Sequence, residues 1–162
     1  MSTARQYLDR KFDVLAFRGA QSRGDVLVNQ SLFGADVGGE VCTGVQKLAQ
    51  KWALEFLTIR GSMPFHLSER GSDFMRWVRQ GRLRTEFDVQ AFFNFAAQQV
   101  RVNLLNEETE DTHPEERLVR ATLLRIALLG DSLELFVSIT SQAGETREVT
   151  LPIAITPVNL SL

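Results

Sequence analysis

The sequence contains few of the residues from which most catalytic and metal sites are built. It has one cysteine, Cys42, two histidines, His66 and His113, and one tyrosine. A single cysteine excludes an intrachain disulfide and fits a reducing compartment. A metal site needs several Cys, His or carboxylate ligands at short spacings, and these residues are widely separated along the chain. We therefore predict that the protein holds no metal and no other cofactor.

Long hydrophobic runs and an excess of positive charge are also missing. No apolar stretch approaches the roughly 18 residues of a transmembrane helix, and the first residues lack the apolar region of a secretory signal. The 20 acidic and 18 basic residues give a net charge of −2, which provides no overall attraction to nucleic acid or anionic lipid. We expect neither nucleic acid nor membrane among the partners. The 162 residues, of which 44% are hydrophobic, fit one domain with its own core.

Motifs for nucleophilic or nucleotide chemistry are absent from the sequence as well. Ser62 and Ser72 lie next to glycines, but without a Gly-x-Ser-x-Gly turn they fit turn and cap positions better. The glycine-rich stretch 34–39 lacks the Lys-Ser/Thr end of a phosphate-binding loop. The carboxylates Glu69 and Asp73 are four residues apart, but nothing around them indicates one buried acid beside an ionised partner, as glycoside hydrolysis requires. We predict that the protein is not an enzyme.

The residues after position 44 have a helical pattern. Apolar residues at steps of three and four share one face of a predicted first helix: Val45, Leu48, Trp52, Phe56 and Ile59. Gly61 and Pro64 end this helix. Ser72 and Asp73 are suited to cap a short second helix, Phe74 to Gln80.

Thr85 is a suitable N-cap for a longer third helix, with Asp88 at its third position. This helix is apolar over a very wide surface, formed by Phe87, Val89, Phe92, Phe93, Phe95, Ala96, Val100 and Leu104. The remaining stripe consists of polar side chains: Gln90, Asn94, Gln98 and Arg101. Because a solvent-facing stripe is usually charged, these amides favour contact with another surface.

The second helix and the residues after it carry a basic cluster with a tryptophan: Arg76, Trp77, Arg79, Arg82 and Arg84. Such a cluster could contact phosphate, but arginine with an aromatic residue is equally typical of a protein interface. Because the net charge is negative and no nucleic-acid motif is present, we interpret the cluster and the amide stripe as contacts with other proteins.

Beyond an acidic loop at residues 107–116 the hydrophobic period changes to two. Leu118–Leu129 fits both the helix and the strand period, and the Gly130-Asp131 turn after it favours a strand. Apolar and polar residues then alternate in two further predicted strands, whose apolar residues are Leu133, Leu135, Val137 and Ile139, then Val149, Leu151, Ile153 and Ile155. Short strands are also predicted at 12–17 and 26–28. The predicted fold class is α+β: an N-terminal arm over residues 1–44, then about three helices and a C-terminal antiparallel β-meander over 45–162.

Pro152 lies inside the last predicted strand. Because proline cannot donate a hydrogen bond to a ladder, we expect this strand to be at an edge of the sheet or to be bulged. An edge strand is a template for a strand from a partner. We therefore predict strand addition at Val149, Leu151, Pro152, Ile153 and Ile155.

These motifs resemble the sheath-initiator, or baseplate wedge, proteins of contractile phage tails. In that family a helix ends in Leu-Thr, an Arg-Gly turn with a nearby proline follows, and a Gly-Ser opens the next helix. The corresponding residues here are Leu57-Thr58, Arg60-Gly61, Pro64 and Gly71-Ser72-Asp73-Phe74. A long helix and a C-terminal meander follow in both, so the resemblance covers residues 45–155. The chain differs from the family's usual Gly-Glu-Arg at the first turn, where it has Gly61-Ser62-Met63.

The resemblance implies a structural function. In the family the sheet accepts strands from sheath subunits, and the first sheath ring is thereby built on the baseplate wedge. The implied partners are the tail sheath protein, baseplate wedge proteins and tail tube or hub proteins, in multiple copies within a symmetric assembly. The implied location is the tail baseplate of the virion, assembled in the host cytoplasm.

The sequence leaves two alternatives open. One is a peptidoglycan-degrading, lysozyme-like tail protein, since some members of the family carry a lysozyme-like label. In that case one of Glu55, Glu69 or Asp73 is essential for cleavage. The other alternative is a small assembly adaptor in an unrelated complex.

Overall fold

The computed structural model describes residues 13–14, 25–27, 41–64, 69–129 and 131–155. In chain order the strands and helices are β1 Asp13–Val14, β2 Asp25–Leu27, β3 Val41–Cys42, α1 Gly44–Leu57, α2 Phe74–Arg79, α3 Glu86–Glu107, β4 Leu118–Leu129, β5 Ser132–Ser141 and β6 Thr146–Ala154. A short 3-10 helix, Pro114–Glu116, precedes β4. The predicted α+β class, with three helices followed by an antiparallel meander, is confirmed.

The starts of α2 and α3 are held by side-chain hydrogen bonds. At α3 the predicted capping box is present, because the Thr85 hydroxyl accepts from the N–H of Asp88 at 3.1 Å. In return the Asp88 carboxylate accepts from the N–H of Thr85 at 3.0 Å, so N–H groups that the first helical turn leaves unpaired are satisfied. At α2 the Ser72 hydroxyl accepts from the N–H of Phe74 at 3.3 Å. Its own proton goes to the carbonyl of Phe56 at 2.6 Å, which fastens the start of α2 to α1.

The sheet has the strand order β2-β6-β5-β4. Strands β4, β5 and β6 form the antiparallel meander, and β2 pairs with β6 in parallel. The segment Leu118–Leu129, which fits two periods in the sequence, is a single strand. Along β5 buried and half-buried residues alternate strictly, because one face of the sheet packs against α1 and α3.

The centre of the core is aromatic. The ring of Phe56 lies 4.8 Å from that of Trp52, 4.9 Å from Phe74 and 5.4 Å from Phe93. None of these four side chains is exposed. Aromatic pairs at such separations contribute about 0.5–1.5 kcal/mol each beyond the burial of their area. Since the four residues come from α1, α2 and α3, they hold the three helices together.

The described parts of the N-terminal arm pair with the domain of the same chain. β1 pairs antiparallel with β3, immediately before α1, and β2 pairs with β6 over residues 148–150. β1 lies within the strand predicted at 12–17, and β2 overlaps the strand predicted at 26–28. The remaining residues of these two predicted strands are outside the described part of the chain.

Candidate functional site

The loop that carries the family resemblance is organised around Glu55 of α1, whose side chain is 4% exposed. Its Oε2 accepts hydrogen bonds from Nε and Nη2 of Arg70 at 2.9 and 2.7 Å. Its Oε1 accepts from the N–H of Gly71 at 2.7 Å and from the amide of Asn103 at 2.8 Å. Burial by itself raises the pKa of Glu55, but these hydrogen bonds outweigh burial and hold the pKa below its ordinary value. Glu55 is therefore an ionised carboxylate that ties α1 to the loop and to α3.

Gly71 allows the two sides of this loop to approach closely. The N–H of Ser72 donates to the carbonyl of Thr58 at 2.8 Å, and the N–H of Arg60 donates to the carbonyl of Ser72 at 3.0 Å. Gly71 has a φ of +93°, and a Cβ at this position would lie 2.5 Å from the carbonyl oxygen of Thr58. Only glycine fits such a position without displacing the backbone. The Gly-Ser motif at Gly71-Ser72 is thus explained by the structure of the loop itself.

The ion pairs around the loop continue to the C-terminal end of α3. Arg70 also pairs with Glu107, and Lys51 of α1 pairs with the same carboxylate at 2.6 Å. Burial and the neighbouring Arg70 and Lys47 lower the pKa of Lys51 below its ordinary value. These contacts fix the position of α3 relative to α1 and the loop.

The carboxylates of the hydrolase alternative do not form an acid–base pair suited to glycoside cleavage. A general acid needs a raised pKa, whereas the pKa of Glu55 is lowered. Glu69 is paired with Arg60 and its side chain is 80% exposed. Asp73 is paired with Arg76 at 2.7 Å. Each of the three carboxylates is therefore paired with an arginine.

The side chains predicted for strand addition lie in the core of the domain. Val149, Leu151 and Ile153 are at most 2% exposed and pack beneath α1. The prediction that this apolar line contacts a partner is therefore wrong for the side chains. Their alternation reflects burial against the protein's own helices, which produces the same period of two as an interface would. Ile155 follows the end of β6 and is half-buried against the core.

The outer edge of β6 is partly occupied by β2. The N–H of Ile155 donates to the carbonyl of Asp131 at 2.8 Å. In this antiparallel register the odd-numbered residues of β6 therefore bond to β5, and the even-numbered residues direct their backbone groups outward. Residues 148–150 pair there with β2, so the prediction of an open edge is wrong for this part of β6. Pro152 lies beyond the last β2 partner, Thr150, and its missing N–H faces the outer edge, as expected for a proline in a strand.

The open edge of the sheet is β4. It pairs with β5 on one side, and no described strand pairs with its other side. Leu118 at the start of β4 is buried, but the core-facing residues after it are half-buried: Ala121, Leu123, Ile126 and Leu128. Their partners across the ladder in β5 are all fully buried: Ile139, Val137, Leu135 and Leu133. The core is thus incompletely covered along β4.

The residues of the basic cluster do not all have the same environment. Arg76 pairs with Asp73 and donates to the carbonyl of Arg60 at 2.6 Å, so it supports the loop. The Trp77 ring lies 4.7 Å from that of Phe92 and 5.6 Å from that of Phe95 of α3. The other members are exposed and form no ion pair with the described residues: Arg79, Arg82 and Arg84.

The outer face of α3 is more apolar than the sequence interpretation suggested. The amides Gln90, Asn94 and Gln98 are exposed, as is Arg101. Gln98 also belongs to an exposed, mostly apolar stripe that runs next to the other polar residues: Phe87, Ala91, Phe95, Gln98, Val102 and Leu105. The sequence pattern predicts that Phe87 and Phe95 are part of one wide apolar surface and gives no prediction for Ala91, Val102 and Leu105. The average spacing of 3.5 residues from Ala91 to Leu105 is the sequence signal that distinguishes this stripe from the buried face.

Among the described residues, no helix is long and apolar enough to cross a bilayer. Within the same residues, no three His, Cys, Asp or Glu side chains are grouped so that they could hold a metal ion. Comparison of the chain with protein-family models, curated proteins and solved structures gave no match.

Proposed function

We propose that this protein is a structural component of a contractile phage tail baseplate, which links the baseplate wedge to the first sheath ring and initiates sheath assembly by strand addition. The biological setting comes from the sequence resemblance. The observation that carries the mechanism is the open edge of β4 beside a half-covered core.

A strand added to β4 would both pair with its free backbone groups and cover its half-buried side chains. The backbone groups of β4 that do not bond to β5 would form a ladder with the foreign strand, and these main-chain bonds give affinity. Side chains of the foreign strand would cover the half-buried Ile126 and Leu128, and this contact gives selectivity. We place the joint at β4 because the apolar side chains of β6 are already buried and β2 occupies part of its edge.

Two irregularities in β4 are consistent with a selective edge. The ladder with β5 shifts register between Leu118 and Arg120 and again between Leu123 and Arg125. Bulges of this kind increase the local twist and oppose indiscriminate pairing of edge strands. The residues at the two shifts, Val119 and Leu124, are large, apolar and exposed.

The proposal is tested by adding charge to the β4 edge. The double variant Val119→Lys with Leu124→Lys changes two exposed side chains, so its melting temperature is expected to stay close to that of the wild type. Because lysine on an edge opposes strand addition, the variant is expected to lose initiation when it is combined with the tube and sheath proteins of the same tail. Sheath length and number are counted by electron microscopy.

A matched control carries two added lysines away from β4. Gln142→Lys with Thr146→Lys changes exposed positions at the β5–β6 hairpin and is expected to initiate sheath like the wild type. Normal initiation by the β4 variant would refute the proposed joint. Cleavage of peptidoglycan by the purified protein, lost in a Glu55→Gln variant that still folds, would contradict the structural function and support the hydrolase alternative.

A further inference from the structure

The outer face of α3 has the spacing of a helix–helix seam. From Ala91 the exposed residues recur at steps of four, three, four and three: Ala91, Phe95, Gln98, Val102 and Leu105. This average period of 3.5 is the period of helices that pack along their length. Phe87 extends the stripe by one turn, to about 27 Å at 1.5 Å per residue. In the described part of the chain nothing covers this face, and Phe87 is 78% exposed.

An aromatic group from α2 widens the seam. Trp77 packs against Phe92 and, edge to face, against Phe95, while Phe95 itself remains 57% exposed. The apolar surface therefore continues from α3 onto α2. Large aromatic side chains that are held in place by neighbours are typical anchors of protein interfaces.

The charge around the seam is positive. Its N-terminal end is bordered by Arg79, Arg82 and Arg84, and its flank carries Arg101; all four are exposed and form no ion pair with described residues. The acidic residues of α3 nearby are mostly engaged. Asp88 is used in the capping box, and Glu107 is paired with Lys51 and Arg70. An occupant with acidic flanks would complement this border.

We propose that the outer face of α3 binds an amphipathic helix of a different protein, with an apolar stripe of the same spacing and acidic residues beside it. A second copy of this chain fits less well, because it would bring the same arginine border, and of the described acidic residues of α3 only Glu86 is exposed and outside an ion pair or the capping box. An anionic membrane also fits less well, since Gln98 in the seam and Asn94 beside it would lose water without gaining partners. A polar residue in a seam instead sets the register of a partner helix.

The inference goes beyond strand addition because it uses neither β4 nor a sheath subunit. The two proposals therefore fail separately. The probe is a synthetic peptide of three heptads with leucine at both seam positions and glutamate at both flanking positions, labelled for fluorescence anisotropy. A second peptide carries lysine in place of every glutamate.

The full chain is expected to bind the glutamate peptide at least about tenfold more tightly than the lysine peptide, with the difference shrinking as salt is added. Phe95→Ser is expected to weaken binding of the glutamate peptide at least about tenfold, because it removes a central anchor. Leu54→Ser is the matched control, since Leu54 is also an exposed apolar residue but lies on α1, and it is expected to bind like the wild type.

Three results would overturn the inference. The first is the absence of binding, or equal affinity for the two peptides. The second is concentration-dependent dimerisation of the chain that Phe95→Ser abolishes, which would make a second copy the occupant. The third is sedimentation with vesicles of anionic phospholipid that Phe95→Ser abolishes, which would make a membrane surface the occupant.

Discussion

Phe93 and Phe95 are two residues apart on α3, yet Phe93 is fully buried and Phe95 is 57% exposed. Each belongs to a different apolar stripe along the helix. The inner stripe consists of Val89, Phe93, Ala96, Val100 and Leu104, and all five are buried. The outer stripe, from Phe87 to Leu105, faces away from the sheet. Apolar composition alone therefore does not distinguish a stripe that the chain itself buries from a stripe that stays exposed in the described chain.

The energetic consequences of the two stripes differ. In the inner stripe, truncation of Phe93 removes its contacts with Trp52 and Phe56 and therefore acts on folding. A side chain of the outer stripe has few contacts within the described chain, so we expect its truncation to act on the proposed binding of a partner helix rather than on folding. Variants on the two sides of α3 therefore separate stability from binding.

The largest effect on stability is expected for Phe93→Ala. The side chain is 0% exposed and packs against two aromatic rings of α1, so its removal leaves a cavity. We expect a loss of about 3–5 kcal/mol in the free energy of unfolding, measured by urea denaturation. A loss below about 1 kcal/mol would mean that the inner stripe does not contribute substantially to the stability of the fold.

A smaller effect is expected for Glu55→Gln, which probes the flank of α3 where Asn103 reaches the loop. The variant keeps the shape of the side chain but removes a charge that accepts hydrogen bonds from Arg70, and we expect a loss of about 2 kcal/mol at pH 7.

The pH dependence of this loss follows from the lowered pKa of Glu55. Because the folded pKa lies below the ordinary value of 4.5, the stabilisation is complete above that value and is lost as the pH falls through the folded pKa. Melting temperatures are measured from pH 7 down to about pH 3. The gap between wild type and variant is expected to narrow over the acidic part of that range. A constant gap would show that the charge of Glu55 does not contribute.

The smallest effect on stability is expected for Phe95→Ala. The variant loses the edge contact with Trp77 but gains the higher helix propensity of alanine. We expect the free energy of unfolding to change by less than about 1 kcal/mol, as measured by the same urea titration. A loss equal to that of Phe93→Ala would abolish the distinction between the two stripes.

Elements with a strong local signal could be predicted from the sequence. The capping box of Thr85 and Asp88 placed the start of α3, and the strict alternation from Leu133 to Ile139 placed β5. The Gly130-Asp131 turn decided that Leu118–Leu129 is a strand. These features depend on neighbours within a few residues, so the sequence contains them directly.

The positions of the candidate surfaces could not be predicted in the same way. Val149, Leu151 and Ile153 have the pattern of a half-buried strand whether α1 or a foreign protein covers them. The role of Glu55 in tying α1 to the loop and to α3 could not be predicted, because its partners Arg70 and Asn103 lie 15 and 48 residues away along the chain. Contacts over such distances leave no local pattern.

The sequence by itself determined the α+β class, the order of the helices and the meander, and the start of α3, because capping and periodicity are local properties. Only the tertiary structure decided that β6 is buried beside β2, that β4 is the open edge, and that one stripe of α3 is covered while the other is exposed. The reason is physical. Burial of apolar surface is not directional, so the same residues can pack against any apolar neighbour. Only the packing of the whole chain decides which neighbour they contact.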